Sequence, residues 1–522
     1  MPNRLPMQSV AGGLAVLLFL LLPPFAGGEP PASGEGVLEL ELLGRYDGGD
    51  GKEAAEIAAW DGASRRLFVV NGATRKIDVL DLSDPRRPSL AFRLDVGSLG
   101  APNSVAVHDG LVAVAVAAPT PQDDGKVAFF DRDGQDLGSV TVGALPDMVA
   151  FSPDGKRLLV ANEGEPDDGY RRDPPGSISL ITIAVGAPRQ EHVATLTFTD
   201  FDAGGPRAVE VPPGLRIRPK ATVSQDLEPE YIAFDAAGSK AWVALQENNA
   251  FAILDLATPR VETLVDLGSK DHSRAGAGLD ASDRDGGVEI RPWPVAGLYQ
   301  PDAIAAFEVA GETFLVSANE GDARKIEERR VGDLKLDRQV FRRRGKLQKS
   351  KHLGRLQVSA HAEQNGAGAY RRLFSFGARS MSVWDARGSL LWDSGDQLER
   401  AVTAIHGATH DHRSDNKGPE PEGIAVGRVG ERHYAFVGLE RAGGIAVFDV
   451  SEPTAPVFDG YHPSPAEDVS PEGVTFIPWT SLAQAGPDSA TSPAEAPPEA
   501  LLVVPHEISG TVVIWGLRRA AR

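Results

Sequence analysis

Five times the chain sets a proline and an acidic residue at the head of a short apolar run. The phrases are Leu-Pro-Asp-Met-Val-Ala at Asp147, Glu-Pro-Glu-Tyr-Ile-Ala at Glu230, Gln-Pro-Asp-Ala-Ile-Ala at Asp302, Glu-Pro-Glu-Gly-Ile-Ala at Glu422 and Ser-Pro-Glu-Gly-Val-Thr at Glu472. In four of the five, a glutamate in a loop-like context answers sixteen to eighteen residues later: Glu163, Glu247, Glu320 and Glu440. In the fifth, Glu507 answers Glu472 across an insertion. Acids at one register of a repeated unit converge if the units surround an axis. Carboxylates brought together repel unless cations, Arg or Lys side chains, or backbone N–H groups neutralise them. One chemistry this suits is a divalent metal, calcium above all, which takes several oxygen ligands. The other reading is structural, and repetition in every unit favours it. Each carboxylate then accepts hydrogen bonds from backbone N–H groups at the next unit's turn, since a single ligand site seldom needs every copy.

Two further clusters are not repeated. Asp280, Asp283 and Asp285 precede Gly286 and are followed by Glu289, which resembles part of a calcium loop without matching one. These four are metal candidates in a loop that could also be an acidic exposed turn. Arg413, Asp415 and Lys417 lead into Glu420 and Glu422 and are answered by Glu440 and Arg441. Cations beside carboxylates suit an anionic ligand such as phosphate, or ion pairs that fix the loop. His406, His410 and His412 precede this cluster at a spacing that is a weak zinc signal. The stretch 324–355 carries thirteen Lys/Arg against four Asp/Glu and could dock an acidic partner, although such runs are more often solvated loops. The chain has no nucleophile elbow, no phosphate-cradling Gly-rich loop and no zinc-protease helix motif.

The elements that must position these residues are short Val/Ile/Ala/Leu runs bounded by Gly, Asp and Pro, which reads as all-β. Met148–Ser152, the hairpin signal Asp154-Gly155, Arg157–Asn162 and Ser177–Ile183 give the clearest unit. Two more degenerate units come earlier, at 56–82 and 103–131, which makes seven. Seven sheet units predict a seven-bladed β-propeller, whose radial closure removes exposed edges. Seven blades of roughly 42 residues leave long inter-strand insertions, expected near 190–226, 268–298, 322–370, 396–418 and 480–499. The last is rich in Ala, Pro, Ser and Glu and is expected to be disordered.

Residues 1–28 read as a secretory signal peptide, with Arg4, an apolar stretch and small residues Ala26 and Gly28. The remainder, 29–522, reads as one propeller spanning about 38–517. With no Cys there is no disulfide, thiolate chemistry or lipoprotein attachment site. The sequence shows no C-terminal anchor and no integral membrane segment in the mature chain, so a secreted or periplasmic protein is expected. A formal net charge of −20 argues against nucleic acid as a partner and favours metal cations.

Several phrases in order resemble the choice-of-anchor I domain family. They are Ser-Gln-Asp-Leu-Glu-Pro-Glu-Tyr-Ile-Ala (224–233), Leu-Gln-Glu-Asn-Asn-Ala (245–250), Lys-Asp-His-Ser (270–273), Gly-Leu-Asp-Ala-Ser-Asp-Arg-Asp-Gly-Gly (278–287), Phe-Ser-Phe-Gly-Ala-Arg-Ser (374–380) and Arg-Ser-Asp-Asn-Lys-Gly-Pro-Glu-Pro-Glu-Gly (413–423). The resemblance implies an extracellular propeller of the broad YVTN/WD40-like kind, similar to mesenchyme-specific cell-surface glycoproteins, and supplies no settled activity. It departs from the family at His506-Glu507, where Asn usually precedes the Glu.

Two functions remain open. The first is an exported scaffold for extracellular or periplasmic binding or adhesion, calcium-stabilised, whose partner is an extracellular ligand or protein. The alternative is a calcium-dependent phosphoesterase, like alkaline-phosphatase or phytase propellers. There the metal would polarise the phosphoryl oxygen, and Lys417, Arg413 or Arg441 would clamp the anion.

Overall fold

The computed structural model describes residues 37–184, 188–483 and 497–519. The expected signal peptide and most of 480–499 lie outside the described residues. Seven four-stranded antiparallel sheets follow one another along the chain. Their first strands are Ala58–Asp61, Ala101–His108, Pro146–Phe151, Ile232–Phe234, Ile304–Val309, Pro421–Val429 and Thr475–Pro478. Each first strand touches the first strand of the next sheet, and the seventh touches the first. The result is a closed ring of sheets, a β-propeller.

The second strands explain why the ring holds. In Arg66–Asn71, Arg157–Asn162 and Lys240–Leu245 every residue after the first is buried. Sheets covered on both faces read as continuous apolar runs, because alternate side chains enter different cores. Phe68 and Val70 join the core shared with the second sheet, while Leu67 and Val69 join the core shared with the seventh. A core of this kind lies between every pair of consecutive sheets. Each fully buried Val, Leu or Phe in them contributes about 1.5–3 kcal/mol.

The last sheet is made from both ends of the described chain. Thr475–Pro478, Ala500–His506 and Thr511–Arg519 supply three strands. Leu38–Asp47 adds the outer one, pairing from Leu38↔Arg519 to Asp47↔Thr511 with a single register shift between Leu42 and Gly44.

The insertions are folded. Residues 279–295 and 331–373 build a small core of their own around Trp293, Leu336, Phe341 and Leu353. The stretch 396–418 forms the helix Gln397–His406 and a 3-10 turn, Gly407–Arg413. The stretch 190–226 is only partly an insertion, because Val193–Thr197 is the fourth strand of the third sheet. That outer strand buries Leu196 alone, so it carries no apolar run to reveal it.

The repeated phrase has a specific conformation. The residue before the proline is left-handed in four copies: Leu145 (φ 48), Gln300 (φ 42), Glu420 (φ 54) and Ser470 (φ 67). Pairing slips just after it, between Pro146 and Met148 and between Pro421 and Ile424. A bulge of this kind re-aims the side chain that follows. It is clamped by an amide of the answering loop donating to the left-handed residue's carbonyl. The pairs are Glu163 N–H to Leu145 O at 2.9 Å, Gly321 N–H to Gln300 O at 3.1 Å, Glu440 N–H to Glu420 O at 2.8 Å and Glu507 N–H to Ser470 O at 2.8 Å. The phrase is thus a bulged strand entry that turns an acid off the sheet.

A left-handed L-residue costs about 1–2 kcal/mol, least for Asn and most for β-branched types. Leu145→Val is therefore expected to unfold at lower denaturant than Leu145→Asn, by about 1–2 kcal/mol. Equilibrium urea unfolding of the two variants checks this.

Candidate functional site

The bulged entries open on the axis of the ring, and six of the seven first strands bring an acid there. Asp147, Glu230, Asp302, Glu422 and Glu472 come from the repeated phrase. Glu56 enters ahead of Ala58–Asp61 without a proline, which is why the pattern misses it. In the second sheet Asn103 stands at this register and donates to Pro146 O at 3.2 Å. The answering glutamates follow the second strands at the same end of each hairpin. In two sheets the Asn before them holds the blade together. Asn162 Nδ2 donates to Ser179 Oγ at 3.1 Å, and Asn319 Nδ2 to Ser382 Oγ at 2.8 Å. His506, in the Asn position of the last sheet, is buried between Ser464 Oγ (2.9 Å) and Val504 O (3.0 Å).

The carboxylates meet. Asp302, Glu320 and Glu422 can each present an oxygen within 4.8 Å of the others, and so can Glu422, Glu440 and Glu472, and Glu320, Glu420 and Glu440. Glu320, Glu422 and Glu440 each belong to two of these groups, and because Glu422 and Glu440 both come from the sixth sheet, that sheet is the centre of the cluster. Burial first, and then mutual repulsion, lift the acids out of the usual carboxylate range. Glu472 rises to about 8 through burial, Glu440 and Asp302. Glu56 rises to about 8 through burial, Glu472 and Glu507. Asp147 rises to about 6 through burial and Glu247. Glu320 rises to about 7, by burial against the opposing pull of Lys417. Glu163, Glu230, Asp302 and Glu422 are likewise raised well above the usual range, by burial first and then by neighbouring carboxylates. Asp147 acts on Glu56, Glu230 and Asp302, so the acids influence one another around the ring.

The insertions lean cations onto one side of this cluster. Lys417 Nζ contacts Glu320 and lies 3.6 Å from Glu420. Arg441 lies 3.5 Å from Glu420 and 2.8 Å from Glu440, whose Oε1 also accepts from Ser470 Oγ at 2.9 Å. Arg413 Nε donates to Glu420 at 2.7 Å. Glu420 is fully buried. Arg324 reaches Glu228 at 3.1 Å. Sequence reasoning set Glu420 beside Glu422 but missed Glu56, Glu228 and Arg324 as members of this site. Of these three only Glu228 carried a usable signal, since Glu228-Pro229-Glu230 repeats the Glu420-Pro421-Glu422 phrase.

The other expected residues disperse. Asp415 is held away from the axis by Arg330 (2.7 Å) and Arg355 (2.8 Å). Asp283 pairs with Arg355 and Arg284, and Glu289 with Arg291 at 3.1 Å. Asp280 and Asp285 are brought together with Asp411 instead. Asp280 Oδ2 accepts from Ser414 Oγ at 2.8 Å. Burial, followed by Glu399 and Asp285, raises Asp280 to about 7. His406 bonds Tyr461 Oη at 2.9 Å and His412 bonds Thr409 O at 3.2 Å, so each ring is turned to a protein partner.

One residue ties these loops to the ring. Arg379, 1% exposed, donates to Glu399 Oε1 (2.6 Å), Asp280 O (2.7 Å), Ser414 O (2.8 Å) and Asn416 O (2.7 Å). It thereby fixes the residue just ahead of Lys417. Two residues earlier, Gly377 lies against Glu320 O so closely that a Cβ would sit 1.9 Å from it. The Phe-Gly-Ala-Arg stretch is thus what seats Glu320 and Lys417 against each other.

In chemical terms the axis offers hard oxygen donors. Glu230 Oε2, Glu247 Oε2 and Glu422 Oε2 are buried without a hydrogen-bond partner in the structure. Such a donor set fits an oxygen-seeking divalent cation such as calcium.

A propeller ring with an acid-lined axis, decorated by folded insertions, defines the class. A model of the choice-of-anchor I domain matches residues 56–453, and the chain belongs to that family. It is similar to a mesenchyme-specific cell surface glycoprotein of Strongylocentrotus purpuratus, 27% identical over 279 residues, covering 44% of this chain and 36% of that protein. It is also similar to gigasin-3a of Magallana gigas, 34% identical over 111 residues, covering 18% of this chain and 39% of that protein. The matches thus span well under half the length of these relatives. Among solved structures, Kuenenia stuttgartiensis hydrazine synthase aligns with TM-score 0.45 and 12% identity over 90% of this chain and 96% of that one. The β-propeller domain of Myceliophteria thermophila Cps50 (Swd1) aligns with TM-score 0.45 and 11% identity over 92% and 100%.

Two outcomes follow. Glu56, Glu320 and Glu472 bind protons more tightly folded, near 7 to 8, than at their ordinary 4.5. The folded state then holds more protons than the unfolded one, so these groups lose stability as pH rises from about 4.5 to about 8. The melting temperature in EDTA is expected to fall between pH 6 and 8.5, as differential scanning calorimetry would record. Separately, Arg379→Met leaves Glu399 buried and unpaired and is expected to cost about 3–5 kcal/mol in chemical denaturation. Adding Glu399→Leu should recover part of that loss.

Proposed function

We propose that this protein is an exported propeller scaffold for extracellular binding, and that its axial carboxylates hold a divalent cation, calcium in the first instance. The observation that carries the reading is Glu422. It belongs to two three-carboxylate groups, each within 4.8 Å, and its Oε2 has no hydrogen-bond partner. Cation binding would displace the protons that burial now retains there, and would replace carboxylate repulsion with attraction between sheets five, six and seven. The extracellular setting rests on family membership and on the cell-surface name of one relative. It is also consistent with the absence, among the described residues, of a helix long and apolar enough to cross a membrane.

The phosphoesterase alternative needs a cation free to clamp an anion. Lys417, Arg413 and Arg441 are instead each engaged with Glu320, Glu420 or Glu440. The scaffold reading is therefore preferred.

Isothermal titration of metal-stripped protein with CaCl₂ at pH 7.5 tests it. Expected are saturable binding, proton release that changes with buffer ionisation enthalpy, and a raised melting temperature. Glu422→Gln should weaken binding at least roughly tenfold, about 1.4 kcal/mol. Wild-type protein that gives neither heat nor a melting shift at millimolar calcium, magnesium or manganese would sink the reading.

A further inference from the structure

Away from the axis, the insertion 324–355 concentrates thirteen Lys/Arg against four Asp/Glu in a chain of net charge −20. Some of these cations are internal: Arg324 reaches Glu228, and Arg330 and Arg355 hold Asp415. Six others, Arg338, Arg342, Arg343, Lys346, Lys349 and Lys351, are exposed. Among the described residues none of the six forms a salt bridge, unlike most Arg and Lys elsewhere in the chain.

The segment bearing them is a platform with a fixed inner face. Phe341 and Leu353 are buried in the insertion's own core, and Leu347 rests against it. Between them runs the short helix Arg344–Leu347. Gln348 Nε2 donates to Val331 O at 3.0 Å and Leu334 O at 2.7 Å, pinning the turn that follows. Apolar residues at 341, 347 and 353 thus point in, and the cations between them point out. The charges also converge. His352 Nδ1 lies 3.1 Å from Arg291 Nη2, and the Arg291 guanidinium sits 3.6 Å from the Trp293 ring centre. Lys346 and Lys351 bear on the same His352, whose imidazole burial and these three cations hold below its ordinary range.

We propose that this platform is a binding surface for an acidic polysaccharide, a chain of sulfate or uronate groups. Ordered, unpaired Arg and Lys forks recognise repeated oxyanions through charge-assisted hydrogen bonds and counter-ion release. Among the described residues the platform exposes Val340 but no aromatic ring. A single-stranded nucleic acid would therefore find no stacking surface and a membrane no apolar wedge. Elsewhere the acidic surface repels a polyanion, so the polymer is confined to this face.

The surface is independent of the axial cation, and working in EDTA keeps the two apart. Full-length protein is passed over immobilised heparin and immobilised polygalacturonate at low salt. Wild type is expected to be retained on at least one polymer, with the logarithm of its affinity falling linearly with log[NaCl]. Arg342→Glu/Arg343→Glu/Lys346→Glu/Lys349→Glu should lose at least roughly tenfold in affinity with an unchanged melting temperature. The equal charge reversal Lys156→Glu/Arg171→Glu/Arg189→Glu/Arg274→Glu, at exposed cations elsewhere, should be retained like wild type. Failure of wild type to be retained on either polymer overturns the proposal. So does equal loss in the two variants, or tighter binding to duplex DNA or phosphatidylglycerol vesicles. If the platform variant is unfolded, Lys349→Gln/Lys351→Gln, which touches no core residue, is read in its place by the same criteria.

Discussion

Like charges forced together at the axis are the constraint on which this structure turns. Carboxyl groups from six sheets face one another at close range, and left alone they would drive the ring apart. What opposes them is apolar: between every two neighbouring sheets lies a core in which side chains such as Phe68, Val243 or Phe436 have essentially no solvent exposure. Burial first, and then this repulsion, make the acids retain protons, with Glu56 and Glu472 at about 8. The axis is therefore a place where protons, internal cations and any bound metal compete for the same oxygens.

The internal cations explain why the insertions sit where they do. Lys417, Arg413 and Arg324 are carried by excursions from the ring, and they address Glu320, Glu420 and Glu228. They neutralise the side of the cluster formed by sheets four to six. Asp147 and Glu163 have no such neighbour among the causes that set their protonation. Arg379 makes the arrangement rigid by fastening the helix Gln397–His406 and two loops through one guanidinium. Buried charge of this kind specifies geometry more than it stabilises.

Much of this was legible in the sequence. The second strands were readable because burial on both faces makes them uninterrupted apolar runs, as in Leu158–Ala161. The repeated Pro-acid phrase located the entries of five sheets and the acids themselves. Its meaning was harder to read: a hydrogen-bonding role at blade contacts is what repetition suggests, yet the hydrogen bonds clamping the entries use the backbone, such as Glu440 N–H to Glu420 O at 2.8 Å. The left-handed residue before each proline is Leu, Gln, Glu or Ser, types that do not advertise the conformation. Asp411 could not be joined to Asp280 and Asp285 from sequence either, because that meeting depends on how two insertions fold against one helix. Val193–Thr197 was hidden because an outer strand need not be apolar.

The strand Leu38–Asp47, which completes the seventh sheet, has a kinetic consequence. Its partner Thr511–Arg519 is the last strand among the described residues, so the contact that shuts the ring is also the one most distant in sequence. Contacts of this kind form slowly, since the loop-closure entropy falls due before the pairing repays it. Six sheets can assemble from neighbouring hairpins as the chain emerges, but the seventh waits for both ends. Until then its exposed Val512–Trp515 edge is open to any other extended strand. A chain of this design therefore has a window in which it is nearly folded and still open, and that is when a chaperone or a second copy would find it.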